Sequence, residues 1–286
     1  MPDRWRGLAR AATLVLACAG AHAETVDTPV AFSEDGVERS YLVARPDSCR
    51  IGCPLVLDLH GRGGSAETQL RHSGLHANAE KNGYVAVFAE GLHSSWNGGK
   101  GPYGACCSYA MDQAVDDVAF LRHVVERVAR ELPIDRTRIY VTGWSNGCAM
   151  AQRLVAEASD VFAAAACTGH FLLTMQRSLP RPVPVTEIHA RDDTVVAYRE
   201  QDRFTGAREN AARWAALDHC GATPTHARLG TDSDVATFDG CAGGVRVRLV
   251  TLAHGGHDAY ANEDGVDVAQ LVWGSVRDAR LPRPTP

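Results

Sequence analysis

The sequence predicts an α/β fold: a mostly parallel central sheet with helices on both faces. Three observations carry this expectation. Short β-branched runs alternate with amphipathic stretches along nearly the whole chain, as crossover helices between parallel strands require. The chain has 286 residues, 45% hydrophobic and 22% charged, which suits one large buried core. No repeat, low-complexity tract or linker interrupts it, so residues 24–286 are expected to form a single domain.

Taken in order, the first 23 residues read as an address rather than as structure. Arg4, Arg6 and Arg10 precede an apolar stretch over 11–20, followed by Ala21-His22-Ala23, the small-x-small pattern of signal-peptide cleavage. A mature chain beginning near Glu24, secreted or periplasmic, is expected. Cys18 marks the alternative of a lipoprotein cleavage site. The apolar run is about half the ~20 residues of a membrane span, so no membrane association is expected after cleavage.

Residues 37–44 read as an early strand, 54–60 as a buried one and 84–89 as the next. The clearest helix covers 112–132, with Val115, Val118, Leu121, Val125, Val128 and Leu132 at steps of three and four, and Pro133 stops it. A strand follows over 138–142, a helix over 146–158, and strands over 161–167 and 183–189. A helix over 200–218, a strand over 245–252 and a helix over 266–276 complete the pattern.

Charge and cysteine usage narrow the function classes. With 29 Lys+Arg against 34 Asp+Glu the formal net charge is -5, which argues against a nucleic-acid or anionic-membrane surface. Nine cysteines are present, and the eight beyond Cys18 form an even set in an exported chain, so disulfides are expected before zinc. Cys49 and Cys53 can close a short loop, and Cys220 and Cys241 can pin the segment between a helix and a late strand. Cys106 and Cys107 must find partners elsewhere, with Cys148 or Cys167 as candidates, or close a vicinal ring.

The chemistry begins at Gly143-Trp144-Ser145-Asn146-Gly147. Between a strand and a helix, a G-x-S-x-G turn bends sharply enough to expose the serine hydroxyl, and glycines are needed where backbones crowd. A serine hydroxyl is a poor nucleophile and needs a base, which in turn needs an acid to fix its tautomer. In a fold of this kind the chain order is Ser, Asp or Glu, then His, with the partners in loops after late strands. Asp193, in Ala190-Arg191-Asp192-Asp193-Thr194, and His257, in His254-Gly255-Gly256-His257, are chosen; spacing alone leaves Asp192 and His254 open. A buried strand leads into His60-Gly61-Arg62-Gly63-Gly64, where the backbone N–H near Arg62, together with that of Asn146, can hold a developing oxyanion.

Further along this series the residues carry a resemblance. LHGRGGSAE (59–67), SSWNGG (94–99), ACCSYAMDQAVDDVAFL (105–121), DRTRIYVTGWSNGCAMAQRL (135–154), IHARDDTVVAY (188–198) and GGHDAY (255–260) are similar in wording and order to the poly(3-hydroxybutyrate) depolymerase and feruloyl esterase family. That likeness covers about residues 36–275. It implies a secreted α/β-hydrolase acting on carboxylic esters, with Ser145 as nucleophile, Asp193 as acid and His257 as base. Arg62 stands where polymer depolymerases of the family often carry Cys, which favours soluble aryl esters such as feruloyl or cinnamoyl esters of plant cell-wall polysaccharide. Short-chain polyhydroxyalkanoate depolymerase or acetylxylan esterase is the alternative within the class. Outside it stand an acyltransferase on the same fold and a non-catalytic carbohydrate-binding scaffold; retention of Ser, Asp and His in order argues against the last.

Trp96, Trp144 and His170, with Asn97 and Tyr103, are candidate substrate-binding residues because they lie in long loops or beside the elbow. Asp116-Asp117 falls within the long helix and reads as structural. His72 and His76, one turn apart on a helix, have ligand-like spacing but no supporting carboxylate motif, so no metal is expected, and no organic cofactor is implied. The expected partner is a small or polysaccharide-linked ester.

Overall fold

The computed structural model describes residues 30–34, 36–200 and 205–282. Residues 1–23, read above as a signal peptide, lie outside them. In chain order the elements are β1 Val30–Glu34, β2 Val37–Ala44, β3 Cys53–Leu59, α1 Ala66–His72, α2 Leu75–Asn82, β4 Val85–Ala89, the short pair β5 Lys100–Gly101 and β6 Gly104–Ala105, and α3 Ser108–Asp112. They continue as α4 Asp117–Glu131, β7 Ile134–Gly143, α5 Asn146–Glu157, β8 Ala164–Thr168, β9 Val185–Ala190 and α6 Ala207–Leu217. The hairpin β10 Thr225–Leu229 and β11 Ser233–Phe238 follows, then β12 Val247–Leu252 and α7 Val268–Val276.

One sheet runs β1-β2-β4-β3-β7-β8-β9-β12-β11-β10. Its central strands, β4 through β12, pair in parallel, and antiparallel strands extend both edges. Alternation along β3 shows why helices cover both faces. Leu55, Leu57 and Leu59 pack into one core with Phe120, Leu121 and Val124 of α4, the apolar side of α5, and Trp214 of α6. Val56 points the other way, to Leu75 and Ala79 of α2 and Val272 and Trp273 of α7. Buried on both sides, these strands need apolar residues at every position, as β4 with its Val-Ala-Val-Phe-Ala illustrates.

Two helix expectations need correction. The helix read over 112–132 is two helices: α3 ends at Asp112, the chain turns at Ala114 with φ 51°, and Asp116 caps α4 by accepting from Ala119 N–H at 3.0 Å. Val115 keeps the apolar step although it lies in the turn. The helix read from residue 200 starts at Ala207 behind Gly206; residues 201–204 lie outside the described residues. The edge strands β1, β10 and β11 were not anticipated.

The disulfides are Cys49–Cys53, Cys106–Cys107, Cys148–Cys167 and Cys220–Cys241. Cys106 and Cys107 therefore close on each other, while Cys148 and Cys167, considered as their partners, tie α5 to β8. Among the described residues no helix is long and apolar enough to cross a membrane.

Candidate active site

The carboxyl ends of the parallel strands β3, β7, β9 and β12 meet at one edge of the sheet, where open α/β sheets bind ligands. Ser145 follows β7 with φ 53° and ψ -120°, a left-handed backbone unusual for a side-chain-bearing residue. The flanking glycines make that bend sterically possible. A Cβ on Gly147 would stand 2.1 Å from the Leu59 carbonyl oxygen, and one on Gly143 would stand 2.7 Å from the Gly147 backbone. Ser145 N–H donates to Thr168 O at 2.9 Å, which secures the elbow to β8.

Around Ser145 the loops after β9 and β12 assemble a hydrogen-bonded line. His257 Nε2 lies 2.8 Å from Ser145 Oγ, and His257 Nδ1 lies 2.8 Å from Asp193 Oδ2. With Asp193 ionised, Nδ1 carries the proton and Nε2 accepts from the serine hydroxyl. Burial pushes the Asp193 carboxyl up, but hydrogen bonds and charge from His189 and His257 overcome it and hold the group well below the usual carboxylate range. Val195 and Val196 N–H also donate to Asp193 Oδ1, at 2.8 and 2.9 Å.

The neighbours that spacing left open fall elsewhere. Asp192 accepts from Gly255 and Gly256 N–H at 3.1 and 2.9 Å, fixing the loop that presents His257. His254 is exposed and faces Asp264 at 3.1 Å.

In the loop after β3, Gly63 N–H is taken by Ser94 O at 2.8 Å and Gly64 N–H by Gly61 O at 3.0 Å. Arg62 lies between Gly61 and Gly63, and its side chain is exposed. Behind the loop, Gly91 N–H donates to His60 Nε2 at 2.9 Å, which assigns the proton to Nδ1 and directs it to Gly61 O at 2.8 Å. Burial lowers His60 to about 4, so this ring stays neutral and braces the loop. Across the site, Gly147 and Cys148 N–H return to Trp144 and Ser145 carbonyls, and Asn146 N–H opens α5 immediately after the serine. The Asn146 side chain is occupied instead with the backbone of Trp96, through bonds of 2.7 and 2.9 Å.

The substrate-binding candidates divide. Trp144 lines a cleft of about 550 Å³ with His60, Gly61, Arg62, Gly63 and His72. Its indole N–H also donates to His257 O at 2.6 Å, so one side chain both walls the cleft and fixes the histidine loop. Trp96 does not face the cleft: it is fully buried, donates its indole N–H to His60 O at 3.0 Å and stacks on Phe120. An indole in a loop looks exposed in sequence, but here its N–H meets a backbone carbonyl that needs a donor. His170 is likewise buried, accepts from Phe171 N–H at 2.9 Å, and lies beneath the site rather than in its mouth. Burial, reinforced by His189 and His257, lowers it to about 3.

Asn97 is held by Asp117 and Val115, its N–H donating to Asp117 Oδ2 at 2.7 Å and its side chain to Val115 O at 2.9 Å. Asp117 is buried and paired with Arg39 at 2.9 Å, a structural pair that anchors the Trp96 loop. Tyr103 lies under the Arg213 guanidinium, 3.6 Å from its ring centre. His72 and His76 are not on one helix: α1 ends at His72, and Gly74, with φ 70°, separates it from α2. His72 faces Asp258 at 2.9 Å, and no group of three His, Cys, Asp or Glu among the described residues is arranged to hold a metal ion. Sequence reasoning missed His60 and His189. For His189 a signal existed, because Glu187 and His189 are two apart on a strand and share a face.

Comparison with known proteins agrees with this architecture. Residues 80–208 match the prolyl oligopeptidase family, a span that includes Ser145 and Asp193. The chain is 29% identical over 247 residues to feruloyl esterase B of Piromyces equi, covering 80% of this chain and 42% of that protein. It is 36% identical over 147 residues to the putative esterase NocK of Nocardia uniformis, covering 50% of this chain and 40% of that one. The chain thus spans less than half the length of these relatives. Among solved structures, acetyl xylan esterase from Aspergillus awamori superposes with a TM-score of 0.62 at 12% identity, over 86% of this chain and 98% of that one. Strand order, the serine elbow and the structural likeness together give the chain the α/β-hydrolase fold.

Proposed function

We propose that the protein is an exported serine carboxylesterase acting on feruloyl or cinnamoyl-type esters of plant cell-wall polysaccharide. The observation that carries the reading is the line Ser145–His257–Asp193, with both hydrogen bonds at 2.8 Å and the serine in a strained elbow. The likeness to feruloyl esterase B supports the aryl-ester choice.

The steps follow from the geometry. His257 Nε2 takes the Ser145 proton as Oγ attacks the ester carbonyl, and Asp193 stabilises the imidazolium formed. The N–H groups of Arg62 and Asn146 hold the oxyanion. Collapse breaks the ester bond, His257 returns its proton to the leaving alcohol, and an acyl-Ser145 remains. Water, deprotonated by His257, attacks the acyl carbon; the acid leaves and Ser145 recovers its proton.

The test is release of ferulate from methyl ferulate by the purified protein, beside p-nitrophenyl butyrate and p-nitrophenyl acetate. Strong turnover of methyl ferulate supports the reading. Turnover of the aliphatic esters alone moves the substrate to short acyl groups, and turnover of none of them removes the esterase reading.

A further inference from the structure

Behind the triad lies a second buried pair that the mechanism above does not use. His189, on β9, is fully buried and faces acceptors at both ring nitrogens. Nδ1 lies 3.0 Å from Glu187 Oε1; Nε2 lies 2.7 Å from Val196 O and 3.2 Å from Asp193 Oδ2. A neutral imidazole has one donor and one acceptor, so it satisfies acceptors on both sides only when both nitrogens carry protons. Asp193 Oδ2 is the same oxygen that receives His257 Nδ1.

We propose that His189 is a positioning residue held as an imidazolium by Glu187, and that it shares the Asp193 carboxylate with His257. This inference rests on the ester-hydrolase reading for its kinetic consequence, though not for the protonation state itself.

Other groups around the pair fit this assignment. Asn210, from α6, donates to Glu187 Oε2 at 2.5 Å, occupying the carboxylate oxygen that His189 does not reach. Burial raises Glu187 above the usual carboxylate range, and the hydrogen bonds and charge of His189, then Asn210 and Arg213, offset part of that rise. Burial also acts to lower His189, but Asp193 and Glu187 outweigh it and push the ring up to about 9. His170, from the loop after β8, is held neutral nearby. Phe171 stacks on the His189 ring at 5.2 Å, and Tyr198 meets it edge-on at 5.9 Å while bonding Thr251.

A cation on one side of Asp193 weakens the pull of that carboxylate on the His257 proton. The shared arrangement therefore divides the Asp193 charge between the two rings. Removing the cation while leaving a donor in place raises the pH at which His257 becomes protonated.

The pH dependence of kcat/KM tests this in the full protein with p-nitrophenyl butyrate. In His189→Gln the acidic limb is expected to move upward by about half to one pH unit, with KM changed by less than about twofold. A limb in its wild-type position overturns the proposal, whatever happens to kcat, because a purely structural residue would lower kcat without moving the limb. A second readout stands even where that variant does not fold. In wild-type protein labelled with 15N-histidine, one imidazole should keep both ring protons at about pH 8 and retain only one of them in Glu187→Gln. Absence of any such imidazolium overturns the proposal equally. Lack of ester hydrolysis by the wild type would sink the esterase reading alone and leave the labelling result to decide this one.

Discussion

Asn146 and Trp96 exchange two hydrogen bonds across the top of the sheet: Trp96 N–H donates to Asn146 Oδ1 at 2.7 Å, and Asn146 Nδ2 donates to Trp96 O at 2.9 Å. The side chain of the residue after Ser145 thus holds the Trp96 loop in place. Through Ser94 O and Gly63 N–H, that loop also fixes the glycine-rich turn.

Replacing Asn146 with Ala leaves the buried Trp96 N–H and C=O without these partners. The expected loss is about 1–3 kcal/mol of stability, with kcat falling roughly tenfold or more as the oxyanion turn loosens. Thermal unfolding and steady-state kinetics check both; wild-type kcat in a destabilised variant would show that the loop does not govern the turn.

Gly147 faces the Leu59 carbonyl so closely that no side chain fits. Gly147→Ala is expected to displace α5 from β3 and abolish activity, with a large fall in Tm. Circular dichroism melting and esterase assays report it, and an active, stable Gly147→Ala protein would refute the packing described for the elbow.

These two positions show what the sequence makes legible. The elbow can be read because steric crowding demands glycine at fixed offsets from the serine, and because the Asp193 and His257 loops follow strands with continuous apolar runs. Trp96 was misread because a sequence does not reveal that an indole N–H will find the His60 carbonyl inside. The break at Ala114 was hidden by Val115, which keeps the helical step while its N–H bonds back to Ala110. The edge hairpin escaped notice because β10 is exposed along most of its length and shows no alternation of burial.

Asp58, fully buried on β3 and bonded by Gln69, is pushed up to about 7, chiefly by burial. A carboxyl whose folded value is raised supports stability below its unfolded value and loses that support as pH rises through the folded value. Stability is therefore expected to fall between about pH 4 and 7, by on the order of 4 kcal/mol at most from this group. Asp218, pushed up to about 7 mainly by burial, acts in the same direction. Asp58→Asn should flatten the fall; denaturant melts at several pH values check it, and an unchanged slope contradicts the assignment.

The Cys220–Cys241 bridge closes a separation of 21 residues. In the chain-entropy picture a loop of that size contributes about 3 kcal/mol by restricting the unfolded chain. Replacing both cysteines with Ser should lower the denaturant midpoint accordingly while leaving kcat near wild type, because Cys241 precedes β12 whereas the His257 loop follows that strand.

The central claim is that Ser145 is the nucleophile activated by His257. Reaction of the folded protein with a fluorophosphonate, followed by mass spectrometry of its peptides, tests it most directly. The account predicts one phosphonyl group per molecule, on Ser145, and none on a folded Ser145→Ala protein. Labelling at another residue, or no labelling of the native protein, would contradict it.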